Sequence, residues 1–378
     1  MYEAALKGKW EDAEILLQRD PNLARAELTA TGRTAFCYAA ESGIVEIADV
    51  MRSKNPSLVT MPGKDDKTPL HIAAFFRGKD MVKYLFNFTH EEDLSTDEWF
   101  DLLIATIRGR MYDVASAILN MNGSLAKISN EEGATLHHLV QPVFVYTGKT
   151  KLSNVLFPAR RHRLERESQE RGVRSLAEKL WAGIQTLGQD KVTELIEKPF
   201  SILHEAAKQG NVELIDMIAR SDPHLLLRVD KNHHTILHTA ILYRQERVFT
   251  LILQIGHLKG MLATSVDKDG NNILHLAGKL APPRRLKVVS GAAFQMEREL
   301  LWFAVRTEQR NPPPPLLLMS IVFFFSTRHT YLLMQEVKRV VPLSYSKMKN
   351  KDGQKPREVF SKEHQPMLKD GEKWIIRR

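Results

Sequence analysis

The sequence predicts an all-α solenoid of paired antiparallel helices, in two blocks with a helical C-terminal extension, and three observations predict it. A short residue frame recurs along the chain with a period of about 34 residues. Each copy centres on apolar and small residues suited to a first helix and is followed by a run with the 3.6-residue period of a second. Turn-forming residues separate one copy from the next.

Taken in order, Ala4-Ala5 precede Gly8, and Thr34-Ala35-Phe36-Cys37-Tyr38-Ala39-Ala40 precede Gly43. The strongest copy, Thr68-Pro69-Leu70-His71-Ile72-Ala73-Ala74, precedes Gly78. A weaker one, Leu103-Ile104-Ala105 with Gly109, leads to Leu136-His137. After a break come Leu203-His204-Glu205-Ala206-Ala207 with Gly210, then Leu237-His238-Thr239-Ala240, then Leu274-His275-Leu276-Ala277.

Each element of the frame has a physical task. Thr68 sits where a helix needs an N-cap, its hydroxyl placed to accept from an orphan N–H. Pro69 at the first helical position loses no hydrogen bond, and its φ is already set. Leu70 and the paired alanines face the neighbouring repeat, where small side chains allow close approach. Gly78 and Gly210 suit the left-handed position that ends a first helix. Second helices are expected at Ile44, Val45, Ile47 and Val50 and at Val212, Leu214, Ile215 and Ile218. Asp65-Asp66 and Asp267-Lys268-Asp269-Gly270 read as the β-turns that open new repeats. His71, His137, His204, His238 and His275 recur at the repeat period, which marks them as structural, with imidazoles bonded to backbone near the inter-repeat turns.

Composition narrows the class. With 43% hydrophobic and 26% charged residues in a chain of 378, wholesale disorder is excluded. The lone cysteine, Cys37, excludes an internal disulfide and a Cys-based zinc site, and fits a reducing compartment. Met1-Tyr2-Glu3-Ala4-Ala5 has neither the basic nor the apolar region of a secretory signal. The net charge of +9 is concentrated in residues 149–174 and 336–378, so no nucleic-acid partner is expected; a DNA-reading domain carries its charge on the recognising element.

The frame resembles the ankyrin repeat over roughly residues 2–280. Toward the C-terminus the likeness narrows. It is carried by His275-Leu276-Ala277-Gly278-Lys279-Leu280-Ala281-Pro282-Pro283, Val289-Ser290-Gly291-Ala292-Ala293 and Arg298-Glu299-Leu300-Leu301-Trp302-Phe303. Met348-Lys349-Asn350-Lys351-Asp352-Gly353, Pro356-Arg357-Glu358 and Gly371-Glu372-Lys373-Trp374 extend it. Together these resemble plant ankyrin proteins that end in a membrane-spanning PGG domain. The resemblance implies a non-catalytic scaffold in stress or defence signalling, at the cytoplasmic face of the plasma membrane or in the cytosol.

The expected organisation is an N-terminal repeat block (1–140), a basic linker and helices (141–198) and a second block (199–280). An amphipathic helix (281–303), an atypical insert (304–335) and a basic helical tail (336–378) follow. The family runs Leu-Leu-Trp-Phe directly into a charged segment, whereas here Phe303 and Glu336 are separated by Pro312–Pro315 and an apolar run from Leu316 to Phe325. We read this as a retained intron or a gene-model artefact. As a membrane span the run is short, about ten residues where about twenty are needed. The family's spans after Trp374 are absent, so a truncated isoform is expected, and residue 1 opens inside a repeat.

Three chemical motifs fail on inspection. Gly148-Lys149-Thr150 lacks the first glycine of a phosphate loop, since position 143 is Val143. His204-Glu205 lacks the second histidine of a zinc-protease motif, since position 208 is Lys208. Asn87 and Asn122 open glycosylation sequons that mean little without a secretory signal. No catalytic, metal or cofactor residues are assigned, and Cys37 reads as a small core residue. The linker cations Arg160, Arg161, Arg163, Arg166, Arg171 and Arg174 read first as a solvated linker and second as an attraction to anionic lipid, together with the tail lysines. Nuclear import or nucleic-acid contact ranks third.

The expected mechanism is recognition of protein partners on a concave surface of inner helices and turn tips. Lys64, Asp65, Asp66, Lys231, Asn232, His233, Lys268 and Asp269 are the expected contact residues. A nuclear transcriptional cofactor is the alternative, and an enzyme using the irregular middle region a remote one.

Overall fold

The computed structural model describes residues 9–20, 23, 33–63, 66–140, 160–256, 258–287, 295–296, 299 and 341–376. The chain divides into two compact units, residues 1–139 with 147–199, and 140–146 with 200–378.

The first unit is built from helical hairpins. Helix α1 (Trp10–Arg19) is followed by the pairs α2 (Ala35–Ser42) with α3 (Val45–Lys54), α4 (Pro69–Phe75) with α5 (Lys79–Phe86), and α6 (Thr96–Arg108) with α7 (Tyr112–Met121). First helix packs on first helix, α2 on α4 and α4 on α6, while each second helix covers its own partner. The seam is apolar: Phe36, Met51, Leu70, Leu85, Leu103 and Ile107 are fully buried. Burying each such side chain is worth about 1.5–3 kcal/mol. After α8 (Thr135–Val140), α9 (Arg160–Gln185) lies against α7 and the 123–127 turn, burying Leu176, Leu180 and Ile184. A Cβ at Gly183 would meet the Ala126 methyl at 2.6 Å, so glycine is what lets this helix seat. Helix α9 already begins at Arg160, well before the Ser175 at which apolar periodicity returns, so the arginines from 160 onward are helical rather than linker. Helix α10 (Gln189–Glu197) closes the unit.

The second unit repeats the plan with α11 (Ile202–Gln209) and α12 (Val212–Ser221), α13 (Ile236–Leu242) and α14 (Glu246–Gln254), α15 (Leu258–Thr264), then α16 (Ile273–Gly278). Short α17 (Pro283–Leu286) follows, with Gln295, Met296 and Glu299 also helical. Ala281, Pro282 and Lys287 are not, so the helix expected over 281–303 does not start at 281 or run on past Leu286, and its other residues lie outside the described ones. Helix α18 (Pro356–Ile376) packs on α16. The insert at 304–335 is outside the described residues, among which no helix is long and apolar enough to cross a membrane.

Caps follow chemistry. Thr34, Ser201, Thr235 and Asn272 accept backbone N–H groups at the starts of α2, α11, α13 and α16. Thr68 departs from this: its hydroxyl pairs with His71 Nδ1 at 2.8 Å and takes no backbone N–H. The left-handed residue lies two positions beyond the first helix or next to its end. Gly43 (φ 75°) and Gly210 (φ 80°) fill it in two repeats, and Arg77 (φ 62°), Arg110 (φ 60°) and Arg244 (φ 53°) in three others. Gly78 does not: its φ is −74°, and it stands one residue past the left-handed position. A Cβ there would come 3.6 Å from the Gly43 Cα, an ordinary van der Waals contact, so neither conformation nor space demands glycine at this position.

Gly43 isolates the cost of the conformation, because an added Cβ would meet nothing nearer than 4.0 Å. Gly43→Val is expected to destabilise by about 1–2 kcal/mol, and Gly43→Asn by less. Thermal melts of the two variants check this; equal melting points would show that the backbone there is not strained.

Candidate functional site

Three turn tips line up in the second unit. In the first, Asp230 N–H donates to His234 O at 2.9 Å and His233 N–H to Asp230 O at 2.9 Å. Asp267 and Asn271, with Gly270, repeat the pattern at 2.9 and 3.0 Å; Asn350 and Gln354, with Gly353, repeat it again at 3.0 and 2.9 Å. Neighbouring tips are joined by Lys268 N–H to Asn232 O at 3.0 Å and Lys351 N–H to Asp269 O at 2.9 Å. The third tip belongs to the stretch expected to be a tail, and it extends the row beyond α16. Lys231, His233, Lys268 and Asp269 are exposed on this row and Asn232 is half-buried. Asp66 is exposed on a tip of the first unit, with φ 54°. Lys64 and Asp65 lie outside the described residues.

Beneath the tips runs a polar network. His234 Nδ1 stands 3.1 Å from Asp230 Oδ2 and its Nε2 3.5 Å from Asp267 Oδ2. Burial pushes the His234 pKa down, but the Asp267 and Asp230 carboxylates outweigh it and hold the imidazole above its ordinary value. Burial pushes Asp267 up, and hydrogen bonds from His234, Asn271 and the backbone hold it well below the usual carboxylate range. Asn350 Nδ2 donates to Asn271 Oδ1 at 2.9 Å, carrying the network to the third tip.

Three of the periodic histidines connect one repeat to the next. Nε2–H donates to a carbonyl of the following repeat from His71 (Glu98 O, 2.9 Å), His204 (His234 O, 2.8 Å) and His275 (Gln354 O, 3.0 Å). His137 and His238 each accept a backbone N–H through Nδ1, from Ala134 and Thr235, both at 3.1 Å. Burial lowers the pKa of His71, His204, His238 and His275. Neutral, hydrogen-bonded rings of this kind serve as staples. Cys37 is fully buried, with the Thr34 hydroxyl 3.3 Å from its sulfur.

A second exposed feature sits where α4 ends. Phe75 is 77% exposed and Phe76 48%, with the rings edge-to-face at 5.4 Å. The matching positions elsewhere hold Glu41-Ser42 and Lys208-Gln209. Two further repeats hold Arg108-Gly109 and Leu242-Tyr243 there, so the register is mixed; sequence reasoning passed over the Phe75-Phe76 pair. Arg77 and Arg110, at the left-handed positions of consecutive repeats, are exposed beside it in register.

An open cleft in the first unit lies between the 127–131 segment and α10, lined by Lys127, Glu131, Lys191 and Glu194. Among the described residues no group of three His, Cys, Asp or Glu side chains is placed to hold a metal ion.

Residues 1–97 match the family model for ankyrin repeats in three copies. No curated protein matches the chain. Among solved structures, the human ASB11 ankyrin repeat domain is 14% identical, with 83% of this chain and 98% of that one covered and a TM-score of 0.33. An ankyrin repeat protein from Leishmania major is 16% identical, with 81% and 96% covered and a TM-score of 0.30.

Proposed function

We propose that this ankyrin-repeat chain is a protein-binding scaffold that contacts its partners through turn tips and the exposed ends of first helices. The observation that carries the reading is the Phe75-Phe76 pair, two adjacent aromatics held in water at the edge of a packed helix. Single exposed apolar residues are ordinary, but aromatic side chains, Phe among them, are enriched at the cores of interfaces. Asp66, Lys231, Asn232, His233, Lys268 and Asp269 supply polar groups on rigid turns, and Lys64 and Asp65 belong to the same set by sequence. The resemblance to plant PGG-domain ankyrin proteins supports stress or defence signalling at the cytoplasmic face of a membrane as the setting. The basic tail offers an affinity for anionic lipid.

A photo-crosslinking residue placed in cells at Phe76, at Asp269, or at Arg220 on the outer helix α12 tests both parts. The same protein adducts are expected at positions 76 or 269 and absent at 220, with the adducts enriched in the membrane fraction. Adducts at 220 alone would sink the docking surface, and adducts confined to the soluble fraction would sink the membrane setting.

A further inference from the structure

One structural position, filled twice by glycine and three times by arginine, shows what chemistry it accepts. The residue in the left-handed conformation just past the first helix is arginine at 77, 110 and 244. Arg244 is buried and already occupied. Its Nε lies 3.2 Å from Glu299 Oε1 and its outer nitrogen 2.6 Å from Glu299 Oε2, a two-pronged grip on a carboxylate. Glu299 is 2% exposed, and Met296, one helical turn before it, is 6% exposed. The chain thus brings a buried glutamate, with a buried apolar residue three positions before it, to the end of a first helix. Two parallel N–H···O bonds give such a pair direction as well as energy.

The same position in the first unit is empty-handed. Arg77 and Arg110 are exposed, and among the described residues neither side chain makes a hydrogen bond or an ion pair. Arginine in a left-handed conformation costs about 1–2 kcal/mol relative to glycine, so three of them at one position ask for a reason. Phe75 and Phe76 stand next to Arg77 in the chain, at the positions that Leu242 and Tyr243 hold before Arg244, and offer apolar ground beside the guanidinium.

We propose that the first-helix ends of the first unit dock an acidic helical peptide of a partner protein, gripping a carboxylate with Arg77 or Arg110 and seating an apolar side chain one turn earlier on Phe75-Phe76. This rests on the scaffold reading and names the partner's chemistry. Charge complementarity chooses the occupant: unpaired guanidinium groups beside an aromatic pair match a segment that carries both a carboxylate and an apolar side chain. An anionic membrane matches only the charge.

The probe is a fluorescent peptide with the sequence of residues 292–303, which contains Met296 and Glu299, and a second copy with Glu299→Gln. Anisotropy is read with the full chain, the single variants Arg77→Asn and Arg110→Asn, and their double. Asparagine tolerates the left-handed conformation and removes the charge, so folding is preserved; unchanged melting curves verify it. The double variant is expected to weaken binding at least about tenfold, the worth of one charge-assisted pair, and the Glu299→Gln peptide to bind wild type about tenfold more weakly. Phe75→Ser with Phe76→Ser should weaken it further. Unchanged affinity in the double arginine variant overturns the proposal, as does equal binding of the two peptides. Vesicles containing phosphatidylserine are run alongside. Vesicle binding that depends on Arg77 and Arg110 while the peptide does not bind assigns the surface to lipid and also overturns it. If the peptide fails while crosslinks form at Asp269, the acidic-segment inference falls and the scaffold reading stands.

Discussion

Replacing Arg244 with methionine is expected to cost the second unit about 3–5 kcal/mol, the typical penalty for breaking a buried ion pair by removing one partner. Glu299 would be left nearly without water, at 2% exposure. It now receives Arg244, the Ala281 N–H at 3.3 Å and His364 Nε2 at 3.2 Å. Arg244 also ties down the carbonyls of Ile241, Ala277 and Lys279, which would lose their donor. Because repeat arrays need not unfold in one step, the effect is best read locally, by hydrogen exchange of the amides in the first turns of α18. Faster exchange there, and little change in the first unit, is the expected result. Arg244→Met combined with Glu299→Met should recover much of the loss, since a buried pair replaced by apolar residues is often neutral. Unchanged protection in the single variant would show that the cluster does not hold α18 in place.

Acidification from pH 7 to pH 5 is expected to lower the melting temperature, and His238 is expected to contribute most among the periodic histidines. Burial pushes His238 down to about 4, and it does the same to His138. A histidine with a depressed pKa contributes stability that is complete above its unfolded value near 6.5. That contribution is lost as pH falls from there toward the folded value. For His238 this amounts to about 2 kcal/mol at pH 5. His71, His204 and His275 act in the same direction. His234 opposes them: its raised pKa gives stability that is present below the unfolded value and lost as pH rises through the folded one. Asp267, depressed, loses its contribution only well below this window. His238→Asn, which keeps an acceptor for the Thr235 N–H, should flatten the fall between pH 6.5 and 5. A melting temperature constant over that range, in wild type, would refute the sign worked out here.

The repeat architecture was legible wherever the frame is dense. Thr68 through Ala74 announces a helix with a proline start, although Thr68 pairs with His71 instead of capping the backbone, and Leu203 through Ala207 repeats the helix without the proline. The histidines repeat their environment only in part: His71, His204 and His275 bond a carbonyl of the next repeat, whereas His137 and His238 accept an N–H of their own. What escaped were features one residue off the frame or far along the chain. Gly78 drew the left-handed assignment from Arg77, since glycine is the usual occupant and arginine carries no local signal for positive φ. Phe75-Phe76 went unremarked because exposure is decided by register, not by residue type. The helix from Arg160 hid behind its charge, as apolar periodicity starts only where α9 meets α7. The tip at Asn350 was quoted for its likeness to a family without being joined to the row, because pairing across a long gap leaves no periodic trace.

That last junction sets the folding order of the molecule. Most contacts in the hairpins are between neighbours in sequence, which form fast and independently of chain length. The bonds from Lys351 to Asp269 and from His275 to Gln354 instead bring together residues some eighty positions apart. Their formation carries a loop-closure entropy that grows only logarithmically, about 0.6 kcal/mol for each doubling of the intervening length. The third tip is therefore the late-forming end of the array, with the highest contact order.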